Sequence, residues 1–259
     1  LVPLPAHRPT RARALPVRGT LAGRVFTGSE LVVRGARTGG DRAREGPRRW
    51  WLALMEGTEK IGVLALTVPS GAPAARRAHA LASLVSLVLV SKRACSDTMS
   101  RLVRRQPMSL AAEMQWALLP PRSFGTAEVA VSSALEPAYE IGGDAFDYGV
   151  RGTHLHVSIF DAMGHDLDAG LTATIAVGAC RRSRLAGHGL VQMAQSVDLA
   201  VEQQFHGDRF VSGVFADLDT ATGVFTWVNC GHPKPLLIRG GRRLRVLDGA
   251  GGVVMGIAA

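Results

Sequence analysis

The chain has 259 residues, 47% of them hydrophobic and 20% charged, with 30 Lys and Arg against 21 Asp and Glu. Those proportions exclude a disordered chain and leave room for one large domain or two modest ones. The positive excess sits in the first part: residues 1–107 hold 19 Lys and Arg and 6 Asp and Glu, whereas residues 108–259 hold 11 and 15. That basic part has no interleaved aromatics and no base-reading motif, so no nucleic-acid partner is expected. No apolar run reaches the roughly 20 residues that span a bilayer. The longest, about 81–90, ends at Ser91-Lys92-Arg93 and reads as a buried helix. Cys95, Cys180 and Cys230 have neither metal-ligand nor redox spacing. An odd count gives no disulfide framework, so reduced thiols and a cytoplasmic location are expected.

In chain order, residues 1–16 are rich in Pro and Arg and read as a linker or the cut edge of a domain. Because the chain begins with Leu1, an upstream piece is expected. Arg18 to Phe26 fits a short helix, and residues 35–49 a polar loop. Trp50 to Met55 and Lys60 to Val68 are apolar strands joined across Glu56-Gly57-Thr58-Glu59, a hairpin signature. Residues 73–105 are Ala- and Leu-rich and predict one long helix. Pro107 breaks it, and a second helix, Ser109 to Leu119, follows with Ser109 as its N-cap. Strands are expected at 127–135, 144–150, 153–160, 210–218, 223–229 and 235–239. Two helices, about 167–186 and 189–205, interrupt them as a pair. Strands grouped around paired helices imply an antiparallel α+β domain.

The chemistry is concentrated in Glu140-Ile-Gly-Gly-Asp144-Ala-Phe-Asp147 and Phe160-Asp161-Ala-Met-Gly164-His165-Asp166. A hairpin links them. With a two-residue tip at Arg151-Gly152, Val150 pairs with Thr153 and Asp144 lies opposite Ile159. Asp161 is then a diagonal neighbour of Asp144 on the same face, within roughly 8 Å. Two carboxylates so close repel unless a cation or proton lies between them. Hard divalent ions take oxygen ligands of this kind. Gly143 lets the backbone approach closely before Asp144, and Gly164 permits a sharp turn that aims a main-chain carbonyl back at the pair. The same residues are also ordinary turn vocabulary. Asp147 falls on the opposite face. Asp166 and Asp168 read as caps of the following helix. His165 is either a phosphate-facing group or a turn histidine bonded to backbone.

Leu118-Leu119-Pro120-Pro121, the two carboxylate segments, Phe210-Val-Ser-Gly-Val-Phe-Ala-Asp-Leu-Asp219 and Thr226-Trp-Val-Asn229-Cys-Gly231-His232-Pro occur in a familiar order. Together they resemble the SpoIIE/RsbU branch of the protein phosphatase 2C-type (PPM) superfamily over about residues 108–259. The resemblance implies an αββα sandwich holding two Mn²⁺ or Mg²⁺ ions, which removes phosphate from Ser or Thr of a small regulatory protein by attack of a metal-activated water. An anti-sigma-factor antagonist is the type of partner implied. Carried over by motif, Asp144 and Asp161 are catalytic metal ligands, joined by the main-chain carbonyl of Ala162. Gly143, Gly164 and His165 surround these ligands or face the phosphate. Asn229, Gly231 and His232 read as a structural turn. The family's further acidic ligands are expected beyond Ala259, which makes residues 106–259 a C-terminally incomplete phosphatase domain that is inactive by itself.

Residues 17–105 more loosely resemble the later part of a GAF sensor domain, through Arg18-Gly-Thr-Leu-Ala-Gly-Arg-Val-Phe26, the strand pair and the long helix. That implies a small-molecule ligand and a connector helix leading to the phosphatase. A homodimer through helices 73–119 is one expectation, with an intramolecular core as the default. The alternatives to an enzyme are a noncatalytic signalling module that binds a regulator, and a GAF-type sensor whose phosphatase part is secondary.

Overall fold

The computed structural model describes residues 15–28, 32–35, 48–68, 72–93, 95–97, 100–101, 104, 106–136, 139–140, 142–249 and 251–257. The expected linker up to residue 14, most of the 35–49 loop, and Pro137, Ala138 and Ile141 of the first carboxylate segment lie outside the described residues. The chain forms two compact units, one of residues 1–105 with Ser123–Gly125, the other of residues 106–122 and 126–259.

In the first unit, Thr20 caps helix α1 (Leu21–Thr27) by accepting from the Gly23 N–H. Strands β1 (Val32–Gly35), β2 (Arg48–Glu56) and β3 (Glu59–Val68) form an antiparallel sheet in that order. The β2–β3 turn is Gly57-Thr58, where Gly57 takes φ +57°, a conformation that costs glycine little. Alternate residues of β2 (Trp50, Leu52 and Leu54) point to one face and pack on Ala78 and Ala82 of helix α2 (Ala72–Arg93). Ser86 locks the contact, donating to the Ala82 carbonyl and accepting from the Met55 N–H.

Helix α2 stops at Arg93, short of the expected 105, and positions 94, 98, 99, 102, 103 and 105 lie outside the described residues. It is also not the buried helix its leucines suggested: Leu84, Leu87 and Val88 are 60%, 66% and 56% exposed. By length and composition alone, Ala74–Arg93 is long and apolar enough to cross a membrane, with mean hydropathy 1.2. Reading the run as ended by Lys92-Arg93 and begun at Leu81 left out its Ala-rich first turns.

The second unit begins with helix α3 (Leu110–Leu118), capped by Ser109, whose hydroxyl accepts from the Ala112 N–H at 3.1 Å. The strand expected over 127–135 is shortened to β5 (Ala130–Ser132), and an unexpected three-residue strand, β4 (Ser123–Gly125, counted with the first unit), precedes it. Then come β6 (Asp144–Arg151), β7 (His154–Ala162), helices α4 (Leu167–Leu185) and α5 (Leu190–Phe205), β8 (Val211–Asp219) and β9 (Val224–Cys230). Strands β10 (Leu236–Arg239), β11 (Arg242–Val246) and β12 (Gly251–Gly252) complete it.

The main sheet has the order β12-β9-β8-β7-β6, antiparallel except for the parallel β12–β9 pair. Helices α4 and α5 cover one face. Ala173, Ala176, Val177, Val197 and Val201 meet Phe160 and Phe215 there, and the two rings stand edge to face at 5.4 Å. Of the sandwich the resemblance implies, the described residues thus form one helical layer and one five-stranded sheet.

Candidate functional site

The β6–β7 hairpin turns at Gly152-Thr153, with Gly152 at φ +59° and Arg151 opposite His154. This tip lies one residue later than expected, so the register moves by two. Val150 pairs with Leu155, not Thr153, and Asp144 stands directly opposite Asp161 rather than diagonal to it. An even shift keeps every side chain on its face, and it brings the carboxylates closer: directly opposed Cβ atoms are about 4.5–5.5 Å apart. Partial withdrawal from water, and then the Asp161 charge, raise the Asp144 carboxyl above the ordinary aspartate range, while His232 opposes the rise.

The glycines ahead of Asp144 are required by close approach. A Cβ on Gly142 would sit 2.5 Å from the Cα of His165. A Cβ on Gly143 would run into the Ala162 carbonyl oxygen, with the carbonyl carbon at 2.9 Å. The Ala162 N–H donates to the Gly143 carbonyl at 3.0 Å, which extends the ladder past both aspartates. The expected main-chain ligand, Ala162, is therefore held beside the pair, and only glycine fits against its carbonyl.

Across β7, Asp161 faces Ser212 of β8. The Ser212 hydroxyl lies 2.8 Å from His232 Nδ1. Asn229 closes the turn that carries this histidine: its side chain donates to the His232 carbonyl and accepts from the His232 N–H, both at 2.8 Å, around Gly231 at φ +67°. Burial pushes the His232 imidazole below its usual pKa, and the charges of Asp161 and Asp144 pull it back up. His232 is thus held by its turn, as the sequence suggested, and also lies in the field of both aspartates. No sequence spacing indicated that second property.

The loop after Asp161 is tied from the far side. The Met163 N–H donates to the Phe210 carbonyl, and Arg209 reaches the Met163 carbonyl, Asp166 and Asp168. Asp166 caps α4 as expected, accepting from the Ala169 N–H at 2.9 Å, and this bond followed by Arg209 holds its carboxyl below the usual range. Asp168 is in the first turn of α4 and bonds Arg209 at 3.0 Å. Gly164 makes the turn at φ +96°. His165 is exposed, with its backbone against Gly142.

Two open clefts meet at Asp144. One, of about 400 Å³, is lined by Glu136, Glu140, Asp144, Asp161, Gly164 and His165. Sequence reasoning did not place its two glutamates at the site. The other, of about 420 Å³, runs from Asp144 and His232 along Leu135, Phe146, Tyr148 and Ile159. Carboxylates and a main-chain oxygen suit a hard dication in kind. Among the described residues, no group of three or more His, Cys, Asp or Glu side chains could hold an ion alone.

Behind the pair, Asp147 points to the helical face, as alternation requires. It is 1% exposed and bonds Arg181 Nε at 2.8 Å and Arg184 at 2.7 Å. Arg181 also donates to the Leu118 carbonyl at the end of α3. Gln115 of α3 donates to the Gly142 carbonyl at 2.9 Å, and the Ser109 N–H donates to the Tyr139 carbonyl. Helix α3 therefore grips the segment leading into Asp144 at several points.

Residues 151–259 match the family model described as Stage II sporulation protein E (SpoIIE). The match supports the SpoIIE/RsbU resemblance carried by the motifs. Among solved structures, the chain is similar to the RsbU and RsbW domains of Rv1364c from Mycobacterium tuberculosis, with 28% identity over 48% of this chain and 34% of that one, at a TM-score of 0.42. It is also similar to a Stage II sporulation E family protein from Thermanaerovibrio acidaminovorans, with 20% identity over 38% of this chain and 50% of that one, at a TM-score of 0.34. The chain spans about a third and about half the length of these two solved chains.

Proposed function

We propose that this chain of the SpoIIE/RsbU type belongs to a metal-dependent protein serine/threonine phosphatase. Its substrate is a phosphorylated regulatory protein of the anti-sigma-factor-antagonist kind. The observation that carries the reading is the direct opposition of Asp144 and Asp161 at the mouth of an acid-lined cleft. The Asp161 charge adds to the cost of ionising Asp144, and a cation beside them relieves it.

Asp144, Asp161 and the Ala162 carbonyl would hold Mn²⁺ or Mg²⁺, ions that commonly keep several waters when only one or two carboxylates bind them. When bound, such an ion supplies Lewis acidity and lowers the pKa of water. The chain's own residues do the rest. Gly143 leaves room for the Ala162 carbonyl, which a Cβ there would strike. Arg209 and the Phe210 carbonyl fix the loop through Gly164. Ser212 takes His232 Nδ1, which leaves Nε2 as the ring atom that can hydrogen-bond a phosphoryl oxygen. No cysteine lies at the pair, and no covalent phosphoenzyme is invoked.

Residues 17–105 are, in this reading, part of a GAF-like sensor that binds a small molecule and reports to a phosphatase domain spanning 106–259. The protein works in the cytoplasm. The test is Mn²⁺-dependent hydrolysis of a small phosphate ester by this chain, by a chain extended beyond Ala259 and by the Asp161→Asn variant of the extended chain. Hydrolysis by the extended chain that is lost in Asp161→Asn supports the phosphatase. A folded extended chain that hydrolyses nothing with Mn²⁺ present points to a noncatalytic module that binds its regulator.

A further inference from the structure

Helix α2 has two different faces. Ala78, Ala82 and Ser86 are buried, with Val85 and Leu89 beside them against the β2–β3 sheet. At 3.6 residues per turn, the opposite side carries Ala80, Leu81, Leu84, Leu87, Val88 and Ser91 in one stripe. Leu81, Leu84, Leu87 and Val88 are 46–66% exposed, and nothing in that stretch carries a charge. A contiguous exposed apolar stripe of this kind marks an interaction surface.

Charge decides between the candidate occupants. Helix α2 contains no Asp or Glu. Arg76 and Arg77 stand before the stripe, and Lys92 and Arg93 after it, all exposed. Arg77 lies in line with Leu84, while Arg76 and Lys92 fall on its two edges. Arg93 is tied to Glu56 at 3.0 Å. A second copy docked stripe to stripe sets like charges together in either orientation: parallel pairing opposes Arg77 to Arg77, and antiparallel pairing opposes Arg76 and Arg77 to Lys92. A flat anionic surface meets the basic residues at both ends at once and receives the leucines between them. Apolar residues flanked by Lys and Arg are what seats a helix in the headgroup layer.

We propose that the outward face of α2 docks on an anionic lipid bilayer surface, lying in its plane rather than crossing it. The sheet contacts on the other face stay intact in that orientation. Each basic residue close to an anionic leaflet favours binding about fivefold, and salt screens this within a Debye length of about 10 Å at 0.1 M.

The test is co-sedimentation of the full chain with vesicles of phosphatidylcholine alone and of phosphatidylcholine mixed with phosphatidylglycerol. Binding is expected to be more than about tenfold tighter on the anionic vesicles and to weaken at high salt. Leu84→Glu with Leu87→Glu removes it, and both positions are exposed, so far-UV circular dichroism should not change. Arg77→Glu, which leaves the stripe apolar, lowers the preference for anionic vesicles. Equal binding to both vesicle types, or binding to neither, overturns the proposal. So does a chain that runs as a dimer by light scattering and becomes a monomer with Leu84→Glu, since the stripe then serves a second copy. Hydrolysis of a phosphate ester is unaffected by any of these outcomes.

Discussion

Gly143→Ala changes no ligand and adds one methyl group, yet it should disable the site. The added carbon would collide with the Ala162 carbonyl oxygen and stand 2.9 Å from its carbon, with the Ala162 nitrogen at 3.0 Å. All three are backbone atoms inside the β6–β7 ladder, so no side chain can swing away. Relief requires the strands to part by about 1 Å at the one place where Asp144 and Asp161 face each other. Overpacking of this kind costs about 1–3 kcal/mol. A misplacement of about 1 Å lowers a catalytic rate about 100-fold. The unit retains its core around Phe160 and Phe215, so the variant should stay folded. Urea unfolding gives the stability loss, and Mn²⁺ titration, with phosphate-ester hydrolysis by a chain extended beyond Ala259, gives the functional loss. A Gly143→Ala protein within about 0.5 kcal/mol of wild type, with unchanged Mn²⁺ affinity, would show that the close approach of Gly143 to Ala162 is not what sets the pair.

Asp147→Ala leaves Arg181 and Arg184 without their buried anion. Both arginines are about a quarter exposed and can turn partly to water, so the loss should be about 3 kcal/mol, the lower end for a broken buried pair; urea unfolding showing under about 1 kcal/mol would contradict it. His156 is 4% exposed, and burial, followed by Arg184, pushes it down from 6.5 to about 4 against the opposing pull of Asp147 and Asp217. The unfolded chain then takes up a proton first as pH falls, so its contribution is complete above pH 6.5 and is lost towards pH 4, by up to about 3 kcal/mol. His156→Gln should flatten that part of the stability profile, and an equally steep profile would refute the assignment. Of the three thiols, Cys95 is exposed, while Cys180 is buried and pushed up to about 11 and Cys230 is buried and raised. A thiol-specific reagent should titrate one thiol in the native protein and three after denaturation, and fast reaction of Cys180 would contradict the packing of α4 on β7.

Much of the second unit was legible in the sequence because its local signals agree. Ser109 and Asp166 cap helices where their side chains predicted, and the paired helices fall within a residue or two of expectation. The hairpin placed Asp144 and Asp161 on one face because alternation survives an even error in register. Their direct opposition was not legible, because Arg151-Gly152 and Gly152-Thr153 are equally good two-residue tips. Strand β11 was missed because Arg242-Arg-Leu-Arg-Val246 is exposed along its length and lacks a buried face to impose alternation. Asp168 looked like a cap, but Arg209, 41 positions away, claims it. His232 read as a turn histidine because Asn229 and Gly231 account for it locally. Only the β7–β8 pairing, which sets Ser212 against Asp161, brings its ring towards the carboxylates. The leucines of α2 looked like core because composition does not say which stripe meets the sheet.

The central claim is that Asp144 and Asp161 form one cation-holding pair. Calorimetric titration of Mn²⁺ into the wild type, Asp144→Asn and Asp161→Asn tests it without reference to any substrate. The account predicts binding to the wild type that weakens more than about tenfold in each single variant, since either carboxylate alone loses the partner whose charge demands the ion. Wild-type affinity in either variant, or no binding to the folded wild type, would contradict it.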